Sequence, residues 1–202
     1  MPGNTTAEGG VMRHLGPEWS YAGHNSSVAF GTWNFSVDIQ KPVDDWHFYV
    51  LFISETFDND WLTNESMGSM YAVGFFIPDS GDHEIRLVRG DHELGPLWMG
   101  YYYQEDIVGW NNIIVTREPS GQFYVYLNDK LILGAKNMDR TASERFYFAS
   151  QGGPAIDNVS VSNTIVYDKA PPEWTKPSDQ MIDARTDFSY DLNATDYSGI
   201  DQ

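Results

Sequence analysis

Apolar and polar residues alternate through three consecutive segments in residues 110–133. Ile113 and Val115 share one side of the first segment, and the second alternates three apolar residues with two tyrosines. Turn-forming residues separate the segments at 118–121 and 128–130. Because side chains alternate between the two faces of a strand, this stretch predicts three antiparallel strands with one buried face. The other face is predicted to be exposed and to carry Arg117, Tyr124 and Tyr126.

The same kind of pattern extends through the chain as far as residue 168. Alternation from Trp33 to Ile39 predicts a half-buried strand, and the apolar run at 46–53 predicts a central strand covered on both faces. No long segment has the period of a helix, so we predict an all-β fold, a two-sheet antiparallel jelly-roll sandwich. Further strands are predicted at 70–77, 97–103, 145–150 and 155–161, together with a short first strand at 18–21, a strand that ends at 89–90 and an edge extension at 163–167.

Two motifs resemble a known superfamily. One is the run Trp-x-x-Ile-x-Val-x-Arg followed by Gly-x-Phe-x-Val-Tyr-x-Asn in residues 110–128, and the other is Ala-Ile-Asp-Asn-Val-Ser-Val at 155–161. Together they resemble the concanavalin A-like lectin and glucanase sandwiches, which include laminin-G-like modules. The resemblance covers roughly residues 16–168. It implies the fold more firmly than it implies an activity.

Composition divides the chain into four parts. Residues 1–16 are polar and Gly-rich and are expected to be loose, and residues 17–168 form the predicted sandwich. Residues 169–177 contain three prolines, which indicates an extended linker. Residues 178–202 resemble the first strands of an immunoglobulin-like or cadherin-like repeat of a surface protein. Because a segment this short cannot bury a core of its own, we expect it to be the truncated start of a second domain that continues in the natural protein.

The charge balance excludes one class of partner. Twelve Lys and Arg against 29 Asp and Glu give a net charge of −17. A field of this sign repels phosphate backbones, so we do not expect a nucleic-acid partner. The same field attracts divalent cations, which makes calcium a candidate ligand.

Cysteine is absent, which excludes thiolate catalysis, zinc–thiolate sites and disulfides. The sequence has no run of 18 apolar residues that would predict a membrane-inserting segment. Its first six residues lack the charged and apolar parts of a signal peptide. We therefore interpret the N-terminus as the start of a fragment.

Six of the twelve asparagines stand in the glycosylation motif Asn-x-Ser/Thr, whereas the Ser and Thr content of the chain predicts roughly 1.6 such motifs by chance. This excess indicates a glycosylated protein of the cell surface or the extracellular space. The alternative is that a turn-rich β-protein is rich in these residues anyway. The candidate acceptors are Asn4, Asn25, Asn34, Asn64, Asn158 and Asn193.

No catalytic residue is assigned. The glucanases of the resembling superfamily carry Glu-x-Asp-x-x-Glu on one strand, and this chain contains no such run. A nucleophile elbow, Gly-x-Ser-x-Gly, is also absent. Two Asp-His-Glu triplets, at 82–84 and 91–93, suggest a metal site, but Leu87 stands where a zinc-protease helix needs a second His after His83. They are interpreted instead as exposed turns that flank a strand ending at Arg89-Gly90.

Calcium is the one cofactor that the sequence suggests, and no organic cofactor is expected. Asp157 resembles the position at which several carbohydrate-binding jelly rolls hold a structural ion, although a hydrogen bond at a strand edge is an equal alternative. Asp58 and Asp60 form a weaker candidate, because their loop lacks the glycine of a calcium-binding loop.

The aromatic content of 15% suggests a binding surface. Sugars stack their CH faces on rings while polar side chains bind their hydroxyls. Trp98 and Tyr102 have the same parity on one predicted strand, and Tyr124 and Tyr126 have the same parity on another. With Arg117 they form a predicted carbohydrate-binding platform; the alternative is that these rings belong to the core.

These observations favour a carbohydrate-binding or adhesion module, without catalytic activity, of a large extracellular or cell-surface protein. Its expected partners are glycans or a surface polysaccharide, together with neighbouring immunoglobulin-like domains of the same chain. Two alternatives remain open. The module is a glycan-cleaving enzyme with an unrecognised site, or it is a structural spacer in a surface array.

Overall fold

The computed structural model describes residues 5–8, 11–14, 20–39, 46–54, 70–78, 83–90, 97–104, 107–151, 153–165, 173–174 and 194–195. All regular elements in these ranges are β-strands, which confirms the predicted class. No helix among these residues is long and apolar enough to cross a membrane. The strands are β1 Thr5–Glu8, β2 Val11–His14, β3 Ser20–Asn25, β4 Gly31–Ile39, β5 Trp46–Ser54, β6 Met70–Ile77, β7 His83–Gly90, β8 Leu97–Gln104, β9 Gly109–Arg117, β10 Gln122–Leu127, β11 Lys130–Lys136, β12 Arg145–Gln151, β13 Ala155–Ser162, β14 Glu173–Trp174 and β15 Ala194–Thr195.

Two antiparallel sheets make up the sandwich. The seven-stranded sheet has the order β1-β2-β13-β4-β9-β10-β11, and the six-stranded sheet has the order β3-β12-β5-β6-β7-β8. The three strands predicted from residues 110–133 are neighbours in the first sheet, and β5 is central in the second, as expected. The predicted jelly-roll architecture is confirmed.

The core lies between the inner faces of the two sheets and is built largely from aromatic rings. Phe48 and Phe75 stack within the six-stranded sheet, with ring centroids 4.3 Å apart. Trp33 of β4 packs against Phe52 of β5 at 5.0 Å, so this pair joins the two sheets. Such pairs add about 0.5–1.5 kcal/mol each to the free energy of burial. Alternation along β4, β9 and β10 places the apolar residues inside, as the sequence predicts.

The two turns predicted around β10 are also present. Gly121 has a φ of 81°, and its N–H donates to the Glu118 carbonyl at 2.9 Å. Asn128 and Asp129 have φ of 49° and 68°, the conformation that matches a two-residue hairpin turn to the twist of its strands. These turns fix the register of β9, β10 and β11.

The expectation that residues 1–16 are loose is wrong for the described part of that segment. Strands β1 and β2 pair with each other, and β2 pairs with β13 through Arg13 and Met12. Met12 packs against the core, and Arg13 forms an ion pair with Asp38 at 2.7 Å. This pairing joins residues about 140 positions apart, so local sequence patterns could not reveal it.

The chain divides into two compact units, Met1–Tyr167 and Asp168–Gln202. The first contains the sandwich. In the second, β14 and β15 pair antiparallel, with Glu173 opposite Thr195 and Trp174 opposite Ala194. Most of residues 178–202 lie outside the described ranges, and their likeness to an immunoglobulin-like repeat stays a prediction.

Arg117 is fully buried, so its predicted place on an exposed face is wrong. It follows Ile113 and Val115 at intervals of two, and therefore points into the sandwich with them. Its guanidinium donates to the carbonyl oxygens of Ala29 at 2.9 Å and Asn137 at 3.0 Å. The guanidinium also lies over three rings at 4.5–4.8 Å from their centroids, those of Phe30, Tyr71 and Phe123.

We predict that Arg117→Met lowers the free energy of unfolding by about 2–4 kcal/mol, because two buried carbonyls lose a charged donor. Urea denaturation measures this change. Lys136→Met is the matched control, since Lys136 is exposed on β11 and its loss is expected to change stability by no more than about 0.5 kcal/mol. Equal stability of the two variants would contradict the structural role assigned to Arg117.

Candidate functional site

The structure does not bring together the four platform residues whose side chains it describes, Tyr102, Arg117, Tyr124 and Tyr126. A β-bulge interrupts the pairing of β7 with β8, so that Trp98 lies opposite Val88 whereas Tyr102 lies opposite Ile85. Val88 belongs to the outer face of the six-stranded sheet and Ile85 to the core. The bulge breaks the alternation along β8, so the shared parity of Trp98 and Tyr102 is no evidence for a common face. Tyr102 packs against the core, and the side chain of Trp98 lies outside the described part of the chain.

Tyr124 and Tyr126 share the outer face of the seven-stranded sheet, as their parity predicts. Tyr126 is only 1% exposed, however, and Tyr124 is half-buried. Alternation identifies the face of a strand but not whether other chain segments cover that face. The prediction that Tyr126 is exposed is wrong, and Tyr124 remains a candidate on its own.

A different constellation occupies the outer face of the six-stranded sheet. Tyr49 on β5 pairs with Gly74 on β6, and Gly74 pairs with Arg86 on β7. A Cβ atom at Gly74 would lie 2.6 Å from Cε1 and 2.8 Å from Cδ1 of Tyr49, so one edge of the phenol ring occupies the space that glycine leaves. Because the strands are about 4.8 Å apart, this geometry carries the Tyr49 hydroxyl toward Arg86.

Arg86 forms an ion pair with Glu84, two residues earlier on the same face of β7. The guanidinium carbon of Arg86 lies 5.5 Å from the ring centroid of Phe76, which pairs with Glu84 across the strands. Glu84 is largely buried, and Arg86 is one-quarter exposed. We call Tyr49, Phe76, Glu84 and Arg86 the Tyr49–Arg86 cluster.

Burial is the main influence on the pKa of the Tyr49 phenol. Burial raises the pKa of Tyr49 above its ordinary value, while the nearby Arg86 charge lowers it and the Glu84 charge raises it. The net direction is upward. At neutral pH the phenol therefore offers both a donor and an acceptor beside the ion pair.

A second ring packs over a glycine on the same face, toward its other edge. Tyr147 on β12 pairs with Gly23 on β3, and its ring fills the space that a side chain at Gly23 would need. The exposed Arg145 donates from Nη1 to the Tyr147 hydroxyl at 2.9 Å. Aromatic rings laid over glycines, each accompanied by an arginine, thus recur at two positions across this face.

Sequence reasoning missed Glu84 and Arg86. The first Asp-His-Glu triplet was interpreted as an exposed turn, but His83 and Glu84 are 8% and 7% exposed within β7. A usable signal was present, because Ile85 and Leu87 alternate with Glu84 and Arg86 and both belong to the core. Two opposite charges two residues apart on a strand share one face and can pair.

The calcium candidates receive no further support. Asp157 is half-buried in a bulge of β13, and its Oδ1 accepts a hydrogen bond from the N–H of Asn158 at 2.7 Å. The described residues contain no group of three His, Cys, Asp or Glu placed to hold a metal ion. Calcium at Asp157 stays a prediction, and Asp58 and Asp60 lie outside the described residues.

Three of the six glycosylation candidates lie in the described ranges. Asn25 and Asn158 are exposed. Asn34 is half-buried, and its Oδ1 accepts a hydrogen bond from Nδ2 of Asn112 at 2.8 Å. Asn4, Asn64 and Asn193 lie outside the description.

The Tyr49–Arg86 cluster combines the groups that bind a polyhydroxylated ring. A flat phenol and a phenyl ring provide apolar surface, the carboxylate of Glu84 accepts hydrogen bonds, and the guanidinium of Arg86 donates them. The cluster as defined holds one carboxylate, and that carboxylate is paired with Arg86. Glycosidic cleavage by the common mechanism uses two carboxyl groups flanking the bond.

No protein-family model matches the chain, and no curated protein matches it in sequence. Solved structures do match it. The carbohydrate-binding module CBM66 from Bacillus subtilis matches with a TM-score of 0.57 and 14% identity, over 78% of this chain and 89% of that one. This chain has the concanavalin A-like jelly-roll fold.

Two further structures support this fold. The metal-free carbohydrate recognition domain of Emp46p has a TM-score of 0.58 at 11% identity, over 81% of this chain and 87% of that one. A legume lectin-like domain from Entamoeba histolytica has a TM-score of 0.55 at 7% identity, over 79% of this chain and 86% of that one. Identities this low establish shared architecture and leave the ligand to be argued from this chain's own residues.

We predict that Gly74→Ala destabilises the jelly roll by about 1–3 kcal/mol, because the new methyl group meets the ring of Tyr49. In a Tyr49→Ala background the same change is expected to have little effect, so a double-mutant cycle of unfolding free energies isolates the contact. Gly134→Ala is the control, since the nearest atom to a Cβ there lies 3.8 Å away. A Gly74→Ala effect that persists without the Tyr49 ring would refute the contact between this ring and residue 74.

The raised pKa of Tyr49 predicts a pH dependence. Unfolded tyrosine loses its proton near pH 10 whereas folded Tyr49 keeps it, so the contribution of Tyr49 to stability falls as pH rises above about 10. NMR titration of ¹³Cζ-labelled tyrosine, assigned with Tyr49→Phe, measures the pKa directly. Arg86→Gln is expected to raise this pKa further, and Glu84→Gln is expected to lower it. Unchanged titration in both variants would show that the ion pair does not face the phenol.

Proposed function

We propose that this jelly roll is a carbohydrate-binding module without catalytic activity, and that the Tyr49–Arg86 cluster is its sugar-binding site. The observation that carries the proposal is the Tyr49 ring packed over Gly74 beside the Glu84–Arg86 ion pair. The ring stacks on the CH face of a sugar, and the ion pair binds adjacent hydroxyls with one donor and one acceptor group.

Two features make the cluster suited to this role. Glu84 and Arg86 hold each other in place, so little side-chain freedom is lost when a ligand binds. The cluster also has no net charge of its own, which matches a neutral sugar. The names of two matching structures, a carbohydrate-binding module and a carbohydrate recognition domain, are consistent with this assignment.

The module is proposed to work at the cell surface or outside the cell, in adhesion to glycans or a surface polysaccharide. The glycosylation motifs support this setting, above all those at the exposed Asn25 and Asn158; the amide of Asn34 is hydrogen-bonded to Asn112 instead. Residues 178–202 are proposed as the opening of an immunoglobulin-like repeat, which would make neighbouring domains of the same chain its covalent partners. Glycans found by mass spectrometry on the protein from its natural source would support the first statement, and a chain mass no larger than that of these 202 residues would contradict the second.

Isothermal titration calorimetry against a panel of neutral and acidic oligosaccharides tests the binding function. We expect at least one neutral glycan to bind, and Arg86→Gln or Glu84→Gln to weaken it about ten- to a hundredfold, the loss of one or two charged hydrogen bonds. Tyr49→Ala is expected to weaken binding similarly, whereas Tyr49→Phe keeps the stacking surface.

Lys136→Gln is the matched control for charge, because Lys136 is exposed on the other sheet. The proposal fails if no glycan binds, or if the cluster variants bind as tightly as the unchanged protein. Release of reducing ends that stops on Glu84→Gln would instead identify a glycan-cleaving enzyme. Binding of no glycan, with stability that depends on a neighbouring domain, would favour the structural spacer.

A further inference from the structure

The opposite outer face of the sandwich carries a second surface with sugar-binding chemistry. Trp110, at the start of β9, is 51% exposed, and its indole lies on the outer face of the seven-stranded sheet. Its partner across the strands is Asp38 on β4. Cβ atoms of directly paired residues lie about 4.5–5.5 Å apart, so the Asp38 carboxylate borders the indole.

The Asp38 carboxylate is held in place from the other side. Arg13 on β2 reaches across Ala155 on β13, and its Nη2 donates to Oδ2 of Asp38 at 2.7 Å. Nη1 of Arg13 donates to the carbonyl oxygen of Gly153 at 2.8 Å. Two hydrogen bonds thus fix the guanidinium, and the guanidinium fixes one carboxylate oxygen of Asp38.

Amide side chains continue the surface away from Trp110. Asn112, the next outer-face residue of β9, donates from Nδ2 to Oδ1 of Asn34 at 2.8 Å. Ser36 lies between Asp38 and Asn34 on β4 and pairs with Asn112. We call Trp110, Asp38, Ser36, Asn112 and Asn34 the Trp110 strip. Its length along β4 is about 13 Å, since each residue of a strand advances about 3.3 Å.

We propose that the Trp110 strip is a second carbohydrate-binding site, specific for a short stretch of neutral glycan. The indole stacks on one sugar ring, Asp38 accepts hydrogen bonds from its hydroxyls, and the Asn112–Asn34 pair binds the next ring. A single exposed ring bordered by hydroxyl, amide and carboxylate groups suits a sugar better than an apolar protein surface. The Arg13–Asp38 pair leaves the strip without net charge, which favours a neutral ligand.

The two sites lie on opposite outer faces of the sandwich, so one molecule can hold two glycan segments at once. Binding at two sites raises the apparent affinity for a polysaccharide and cross-links its chains. This inference does not depend on the Tyr49–Arg86 cluster, because each site is built from its own sheet.

The test uses protein labelled with 5-fluorotryptophan and ¹⁹F NMR. Among the resonances of the seven tryptophans, the one lost in Trp110→Phe belongs to Trp110. Cellohexaose, laminarihexaose, β-1,4-mannohexaose and maltohexaose are titrated separately. We expect one of them to shift the Trp110 resonance saturably, and Asp38→Asn to raise the Kd tenfold or more. Asp129→Asn, in the exposed hairpin turn, is the charge-matched control.

The variant Arg86→Gln distinguishes binding at the Trp110 strip from binding at the Tyr49–Arg86 cluster. An unchanged Trp110 titration in Arg86→Gln supports a separate site, whether or not the Tyr49–Arg86 cluster binds sugar. Loss of the Trp110 response in Arg86→Gln would overturn the proposal, because the response would then come from the other face. A Trp110 resonance that none of the four hexasaccharides moves would also overturn it.

Discussion

The sandwich depends on one buried cation, the guanidinium of Arg117. An unpaired charge inside a protein is strongly destabilising. The guanidinium of Arg117 is stabilised without a carboxylate, because two carbonyl oxygens accept its hydrogen bonds and three aromatic ring faces surround it. Burial lowers the pKa of Arg117, which means that the buried environment destabilises the charged form of its guanidinium. Tyr71 belongs to the six-stranded sheet, so the same group that anchors the segment at Ala29 also joins the two sheets.

Tyr71 extends this anchoring to the segment after β11. Its hydroxyl donates to the side-chain oxygen of Asn137 and accepts from the N–H of Arg140. Arg89 and Asp139 form an ion pair nearby. One end of the sandwich is therefore fixed by polar contacts, whereas its middle is fixed by ring packing. The residues of the two candidate surfaces take part in neither set of contacts, and both surfaces lie on the outer faces of the sandwich rather than in the core.

Local alternation predicted the strands and the inner faces well, because the period of a strand is a local property. It could not predict contacts made between distant segments. The pairing of β2 with β13, the bulge that separates Trp98 from Tyr102 and the burial of Tyr126 all depend on such contacts. Arg117 is a different case. Its intervals of two from Ile113 and Val115 indicate the inner face, although a charged side chain is rarely buried.

The distribution of cations argues for neutral ligands on both surfaces. The chain has twelve Lys and Arg against 29 acidic residues, and several of those in the described part are already engaged. Arg13 binds Asp38, Arg86 binds Glu84, and Arg117 lies in the core. A polyanionic glycan would have to break these pairs and approach a strongly negative protein. A neutral glycan does not have to break an ion pair or overcome charge repulsion, because stacking and hydroxyl contacts leave both ion pairs in place.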